Sequence, residues 1–206
     1  QAERALGGLT RALGALASIA VGGNLVEQFV KITASAQEMT NKLIFATGSV
    51  ENANKTFGLL AATAKSTGSN LGGTIDLYSK LAMSSTLAGS STESLAYITS
   101  QFNKTLQISG ASGAGAASAL YQFAQAMQKG TLNGDEFRTI TETNGFMMKV
   151  LEKQTGKTTS QLRQMASEGK LSAEILAKAL LESTEIAAAH GKTVQTIPQA
   201  YENLST

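Results

Sequence analysis

Apolar residues recur along the chain at the spacing of one helical face. Ala116, Leu120, Phe123 and Met127 follow the i, i+4, i+7, i+11 pattern, which places them in a single stripe. The same spacing returns at intervals over residues 137–180. The pattern predicts a succession of amphipathic α-helices.

A glycine followed within three residues by Ser, Thr or Asn recurs between these stripes. Glycine is the usual residue after a helix, and hydroxyl and amide side chains cap the start of the next one. The eight junctions are Gly48–Ser49, Gly68–Ser69, Gly89–Ser90, Gly110–Ser112, Gly130–Asn133, Gly156–Thr158, Gly169–Ser172 and Gly191–Thr193. Three of these starts carry an acid or amide at the third helical position, as in a capping box: Ser90 with Glu93, Asn133 with Glu136, and Thr158 with Gln161. Junctions this short favour antiparallel neighbouring helices.

A weak internal repeat relates two helix–turn–helix units at an offset of 39 residues. Each unit has a glycine, one residue, a leucine, and then an acidic helix start that suits the helix dipole. We expect each leucine to be buried at the corner between its two helices. The equivalent positions are Phe123, Gly130, Leu132, Asp135 and Phe137 in the first copy and Leu162, Gly169, Leu171, Glu174 and Leu176 in the second.

These patterns predict an all-α fold in two parts. Residues 49–206 are expected to form a compact stack of short antiparallel helical hairpins, with one helix running from 172 to 189. Residues 1–48 are expected to form a longer, partly detached, Ala- and Gly-rich helical segment. Small residues on one side of that segment would let a second helix approach, which predicts self-association; they are Ala5, Gly8, Ala12 and Ala15.

Composition supports helices and excludes several classes of site. The chain has 31 Ala and 23 Leu against 10 Ile and 6 Val, and one Pro in 206 residues. The absence of Cys excludes disulfides and thiolate metal sites, and a net charge of +2 gives no electrostatic case for nucleic-acid binding. The apolar run over residues 13–21 is shorter than the roughly 20 residues that a membrane span needs. Because the chain opens at Gln1, we expect it to be a fragment of a longer protein.

Four runs of sequence resemble the N-terminal domain of the tape measure proteins of tailed phages. They are Leu106-Gln-Ile-Ser-Gly-Ala-Ser112, Ala119-Leu-Tyr-Gln-Phe-Ala-Gln-Ala126, Gly130-Thr-Leu-Asn-Gly-Asp-Glu-Phe137 and Leu162-Arg-Gln-Met-Ala-Ser-Glu-Gly-Lys-Leu171. The motif residues within them are Gly130, Leu132, Gly134, Glu136, Gly169 and Leu171. One departure is visible. The family has a Pro-containing turn where this chain reads Asn144-Gly145, and a glycine also breaks a helix, so we predict a kink or break there.

The resemblance implies a structural virion protein of a phage, a prophage or a phage-derived particle. Such a protein lies in the lumen of the tail tube, sets the tail length, templates assembly of the tube and leaves at genome delivery. It implies tail tube and tail tip or baseplate proteins as partners, further copies of the protein, and transient membrane contact at delivery. It implies location in the tail lumen, and in the host cytoplasm during assembly, with no cofactor.

An enzyme is the first alternative, because some tape measure proteins carry domains that cleave cell walls. The candidate acids are Asp135, Glu136, Glu142, Glu152 and Glu174. A lysozyme-like site needs two carboxylates at a defined separation, whereas Asp135 and Glu136 are adjacent and diverge around a helix. The only histidine, His190, has neither a cysteine nor a second histidine as a co-ligand, so a surface or capping role is favoured over a metal site.

Two further alternatives are a DNA-binding helix pair and a generic helical adaptor. Residues 158–168 and 172–189 have helix–turn–helix proportions. The second helix would present Glu174, Glu182 and Glu185 to DNA phosphates, so sequence-specific nucleic-acid binding is not expected. The adaptor hypothesis needs only an apolar helical bundle without any relation to phage.

Overall fold

The computed structural model describes residues 25–190, with side chains from residue 35, and this part of the chain is all-α as predicted. Its ten α-helices are α1 (Leu25–Thr47), α2 (Val50–Thr67), α3 (Leu71–Ala82), α4 (Thr92–Ile108), α5 (Gly113–Lys129), α6 (Gly134–Thr143), α7 (Gly145–Thr155), α8 (Thr159–Ser167), α9 (Ala173–Glu182) and α10 (Thr184–His190). A 3-10 helix over Ser85–Leu87 lies between α3 and α4. Strand-like pairing in these residues is limited to one isolated bridge between Thr131 and Ser172.

The first five helices form two layers whose members run parallel. Contacts between α1 and α3 advance in the same direction along both helices, from Met39 with Gly72 to Lys42 with Asp76. The layer continues from α3 to α5. In the second layer, α2 and α4 also run parallel, because Lys55 binds Glu93 near their starts and Gln107 binds the Ser66 carbonyl near their ends. Each helix therefore packs beside the helix two places further along the chain, and consecutive helices lie in different layers. The glycines Gly48, Gly89 and Gly130, each 41 residues after the last, follow the members of the first layer with positive φ.

Helix α4 is the centre of the fold. It packs against α2 and α3 from the first half of the chain and against α7, α9 and α10 from the second half. Its apolar side is buried, and Phe102 stacks on Phe123 of α5 with ring centroids 3.9 Å apart. Its polar side chains Thr99, Gln101, Asn103, Thr105 and Gln107 are buried too. The central position of α4 therefore depends on hydrogen bonds as well as on apolar contact.

Most of the predicted helix boundaries are confirmed. Helices begin after the caps Ser49, Ser112, Asn133, Thr158 and Ser172, and the break at Asn144-Gly145 separates α6 from α7. The capping box of Thr158 with Gln161 is formed. In the second copy of the repeat, α8 has α6 and α7 rather than α9 as its main neighbours, so that copy is not a side-by-side hairpin.

The starts of α3 and α4 lie one residue after the predicted caps, within the two or three residues expected, whereas two other predicted boundaries are wrong. Helix α3 is capped by Asn70 instead of Ser69, and it ends at Ala82, well before Gly89. Helix α4 is capped by Ser91, whose hydroxyl accepts from the Ser94 N–H, so the predicted box of Ser90 with Glu93 does not form. The helix predicted over residues 172–189 breaks at Ser183 into α9 and α10.

The N-terminal helix prediction is confirmed in part. Helix α1, with 23 residues, is the longest described helix, and its C-terminal half packs on α2 and α3 through the buried Thr40 and Leu43. This half is attached to the stack, which is compatible with a segment that was expected to be only partly detached. The small-residue stripe at Ala5, Gly8, Ala12 and Ala15, the apolar run 13–21 and the junction Gly191–Thr193 lie outside the described residues. The division of the chain at residue 48 stays a prediction.

Candidate functional site

The motif residues of the two repeat copies meet at one place. The Leu132 N–H donates to the Leu171 carbonyl at 2.8 Å, and the Ala173 N–H donates to the Gly130 carbonyl at 2.8 Å. The side chains of Leu132 and Leu171 are both fully buried, as predicted from the repeat. The two helix corners, Gly130–Asn133 and Gly169–Ser172, therefore form one unit, which we call the paired corner.

The first corner is also fastened to its own helices. Gly130 ends α5 with φ of 92°, a conformation that costs little only for glycine. Glu136 accepts a hydrogen bond from the Asn133 N–H at 3.1 Å, and its other carboxylate oxygen lies 3.8 Å from Lys129 Nζ in the last turn of α5. Gly134 is helical and has open space where a Cβ would lie. Within this motif Gly130 and Leu132 thus have a clear structural role, whereas Gly134 does not.

The connection between α3 and α4 supports the same corner. Ser84, a buried residue just after α3, donates from its hydroxyl to the Met127 carbonyl in α5 at 2.7 Å. The 3-10 helix also contacts α9, which begins just after the second corner. Three separate parts of the chain therefore converge on the paired corner.

A second cluster, centred on Asn144, escaped the sequence analysis except as a helix break. Asn144 is fully buried and joins α6 to α7. Its Nδ2 donates to Thr105 Oγ1 of α4 at 2.8 Å, and its Oδ1 accepts from Ser109 Oγ at 3.0 Å and from the Met147 N–H at 3.2 Å. Ser109 Oγ in turn accepts from the Phe146 N–H at 3.0 Å. The helix break at Asn144-Gly145 is therefore hydrogen-bonded to the central helix.

The candidate catalytic acids are not assembled into a site. Glu136 is held at the paired corner, and Glu152 accepts from the Thr159 N–H at 2.7 Å and from its hydroxyl at 2.6 Å, which caps the start of α8. Asp135 and Glu142 are exposed about two turns apart on α6, and Glu174 is exposed on α9. Carboxylates in these positions stabilise helix starts and solvate the surface, which is a structural use.

His190 lies partly buried at the end of α10, which packs against α4. Burial, and then the positive charge of Lys104, lower the pKa of His190 below its ordinary value of 6.5. Across residues 25–190 no group of three or more His, Asp or Glu side chains is placed to hold a metal ion. His190 is thus a neutral packing residue at physiological pH.

The described surface carries single exposed apolar side chains, such as Phe45 and Tyr121, and one groove with polar walls. An open groove along α5 and the start of α6 is lined by Gln122, Gln125, Gln128, Lys129 and Glu136, without the apolar walls typical of small-molecule sites. Of the helices in the described part of the chain, none combines the length and the hydropathy that crossing a membrane requires.

The comparison with protein families identifies the chain. The family model described as "Tape measure protein" matches residues 27–206, which include both corners and the Asn144 cluster. No curated protein and no solved structure is similar enough to count as a match. Tape measure proteins are structural components of phage tails, so the match replaces the hypothesis of an adaptor unrelated to phage. The chain belongs to the tape measure protein family.

Proposed function

We propose that residues 25–190 are a folded end-piece of a phage tail tape measure protein. The end-piece starts tail assembly or engages neighbouring tail proteins, and it adds little to the measured length. The observation that supports this is the doubling back of its helices: α1, α3 and α5 lie side by side, as do α2 and α4. One continuous helix of these residues would be about 250 Å long, at about 1.5 Å per residue. A compact domain of this size has a radius of gyration of about 15 Å and is roughly 40 Å across.

In this proposal the measuring length lies in other parts of the full protein. That protein sets the length of the tail tube, templates the assembly of tube subunits around it, and leaves the tube lumen at genome delivery. Its partners are tail tube proteins and proteins of the tail tip or baseplate, which it meets in the host cytoplasm during assembly. Contact with the membrane is transient and occurs at delivery. The end-piece itself acts by recognition, without cofactor or catalysis.

Several copies share one tube in this proposal, and residues 1–24 supply the self-association. Removing residues up to about 50 is a poor test, because α1 would be lost and the buried Leu43 would leave the core. The sharper comparison is the full chain against residues 25–206. Light scattering should show a larger mass for the full chain at high concentration. Two strictly monomeric proteins would contradict this assignment of the contact.

The experiment that tests the end-piece is an in-frame deletion of residues 156–190 in the tape measure gene of the phage. The deletion removes α8, α9 and α10 and exposes the apolar faces of α4 and α7, so few or no functional tails should form. If these residues instead measure, electron microscopy will show functional tails that are uniformly shorter by about 50 Å, at about 1.5 Å per deleted residue.

A pair of adjacent leucines provides the matched point variants. Leu180 is fully buried in α9, whereas Leu181 is 43% exposed. Leu180→Asp should unfold the domain and reproduce the loss of tails, while Leu181→Asp should leave tail number and length unchanged. Normal tails from a phage whose Leu180→Asp domain is demonstrably unfolded would refute the end-piece.

A further inference from the structure

Asparagine is followed directly by glycine at two places in the chain, Asn133-Gly134 and Asn144-Gly145. In such a pair the glycine nitrogen can attack the side-chain carbonyl carbon of the asparagine, because glycine has no Cβ that shields it. A new C–N bond closes a five-membered imide, the bond from that carbon to Nδ2 breaks, and Nδ2 leaves as ammonia with the proton of the glycine amide. Water then opens the imide to aspartate or isoaspartate. The reaction therefore depends on how the fold holds each asparagine.

The fold holds the side chain of Asn144 away from this reaction. Gly145 is exposed, but Asn144 is fully buried, and both ends of its amide are hydrogen-bonded. Its Nδ2 donates to Thr105 of α4, and its Oδ1 accepts from Ser109 and from the Met147 N–H. Formation and opening of the imide expel Nδ2 and consume water, so the bond to Thr105 must break and the interior must open first. In the closed fold Asn144 is therefore protected.

The hydrogen bond between Asn144 and Thr105 can run in one direction only. Thr105 Oγ1 donates its single proton to the Phe102 carbonyl at 2.7 Å, which leaves it to accept from Asn144 at 2.8 Å. Aspartate at position 144 has no proton to donate at neutral pH, so a carboxylate oxygen would face a hydroxyl oxygen. It would also bury a negative charge, and none of the residues that bond to position 144 is cationic. A chain that has reacted at Asn144 cannot rebuild the cluster.

Asn133 belongs to the same kind of pair in a different environment. It is half-buried where the first corner enters α6. Its Oδ1 accepts from the Thr131 hydroxyl at 3.3 Å, and in the described part of the chain no hydrogen bond uses its Nδ2 as the donor. Aspartate caps a helix start as well as asparagine does. Aspartate at position 133 therefore keeps the contacts of the side chain, which makes this pair the internal comparison for Asn144.

We propose that Asn144-Gly145 is a latent deamidation site, which reacts only when the break between α6 and α7 opens and whose product prevents the chain from closing again. Each opening exposes the pair to water, and the reaction acts once and irreversibly. Chains that stay open are thereby removed from the population that can fold. The inference concerns the chemistry of this chain and is independent of the end-piece function proposed above.

Peptide mapping by mass spectrometry follows both pairs in the full chain at mildly alkaline pH. In urea the two asparagines should react at similar rates. In the folded protein Asn144 should react at least about a hundredfold more slowly than in urea, the factor for an opening free energy of about 2.8 kcal/mol. Asn133 should be slowed less. Deamidation of Asn144 at the same rate in buffer as in urea, or equal slowing of the two pairs, would overturn the proposal.

Gly145→Ala is the control for the chemistry, because a Cβ at this position meets open space and shields the nitrogen without disturbing the cluster. Both proteins are aged in urea and diluted into buffer, and the fraction resistant to protease is mapped. Chains modified at position 144 should be missing from that fraction, and Gly145→Ala should give a larger fraction than the unsubstituted protein.

Two variants imitate the products without ageing. Asn144→Asp should remain sensitive to protease, whereas Asn133→Asp should become as resistant as the unsubstituted protein. A resistant Asn144→Asp protein, or aged chains modified at position 144 within the resistant fraction, would show that the product does not prevent closing and would refute the proposal.

Discussion

The backbone N–H of Leu132 donates to the carbonyl of Leu171 at 2.8 Å, which joins equivalent positions of the two repeat copies. The two leucines are separated by 39 residues of sequence, and both side chains are fully buried. The repeat therefore forms an internal contact in which each copy closes the corner of the other. The second copy needs this contact more than the first, because α8 and α9 are not packed side by side.

Truncation of either corner leucine should destabilise the domain. Leu132→Ala and Leu171→Ala should each lower the free energy of unfolding by about 2–5 kcal/mol, because each removes a fully buried side chain. Leu181→Ala, at an exposed position, should change it by less than about 0.5 kcal/mol. Chemical denaturation measures all three, and losses below about 1 kcal/mol at both corners would remove the repeat as a structural element.

Substitution of the two glycines of the first corner by alanine should change the stability of the domain in opposite directions. Gly130→Ala forces a side chain into a conformation with φ of 92° and should cost about 1–2 kcal/mol. Gly134→Ala adds a Cβ to a helical residue in open space and should stabilise by about 0.4–1 kcal/mol. Thermal unfolding of the two variants decides between them. A destabilised Gly134→Ala protein would show that something outside residues 25–190 approaches this position.

Removal of the Asn144 side chain should lower the free energy of unfolding, although the residue lies at a break between two helices. Asn144→Ala leaves Ser109 and the Met147 N–H without their shared acceptor in the interior, so a loss of about 2–4 kcal/mol is expected. Asn54→Ala, on the exposed face of α2, is the control and should be nearly neutral. Urea denaturation provides the comparison. Similar values for the two variants would mean that the cluster is not needed for stability.

Stability should decrease on acidification because of His190. Its pKa in the folded protein is lowered, so the folded state binds fewer protons than the unfolded state as pH falls through the unfolded value of 6.5. The free energy of unfolding should therefore fall from pH 7.5 toward pH 5. Since this is the only histidine in the chain, His190→Asn should flatten the profile in that window. An unchanged slope in the variant would assign the dependence to another group.

At lower pH, three surface carboxylates contribute to the pH dependence of the free energy of unfolding. The pKa of Glu38 is lowered by Lys42, that of Glu93 by Lys55, and that of Glu168 by Lys170. The stability that these pairs contribute is present above pH 4.5 and is lost as pH falls through the lowered values. All three carboxylates are solvated, so added salt should weaken this part of the profile.

The all-α class and most junctions could be predicted because their signals are local. Gly130 with Asn133 and Gly156 with Thr158 mark helix ends through residues within a few positions of each other. The prediction fails where several capping residues stand in a row: Ser90 and Ser91 are chemically equal, and only the packing of α4 selects the second. Ser183 breaks a helix without any glycine or proline nearby, so no local signal marked it.

The two clusters depend on partners that are distant in sequence. The repeat predicts that Leu132 and Leu171 are buried, but nothing in the sequence shows that their corners pair with each other. The partner of Asn144 is Thr105, 39 residues earlier. In the sequence, Thr105 looks like any other threonine of an amphipathic helix. Its hydrogen bond with Asn144 can be predicted only when α4 is known to lie at the centre of the fold.

The central position of α4 has a consequence for synthesis of the protein. The helices that pack on α4 come from both sides of it in the sequence, and the last of them, α10, ends at His190. The ribosome must therefore add about 80 residues after α4 before the helix can be fully covered, which takes roughly 4–16 s at 5–20 residues per second. During those seconds the nascent chain exposes the apolar side of its central helix to solvent. When several ribosomes translate one messenger RNA, neighbouring unfinished chains can therefore associate through this helix. Fast elongation through residues 109–190 shortens the exposure and lowers that risk.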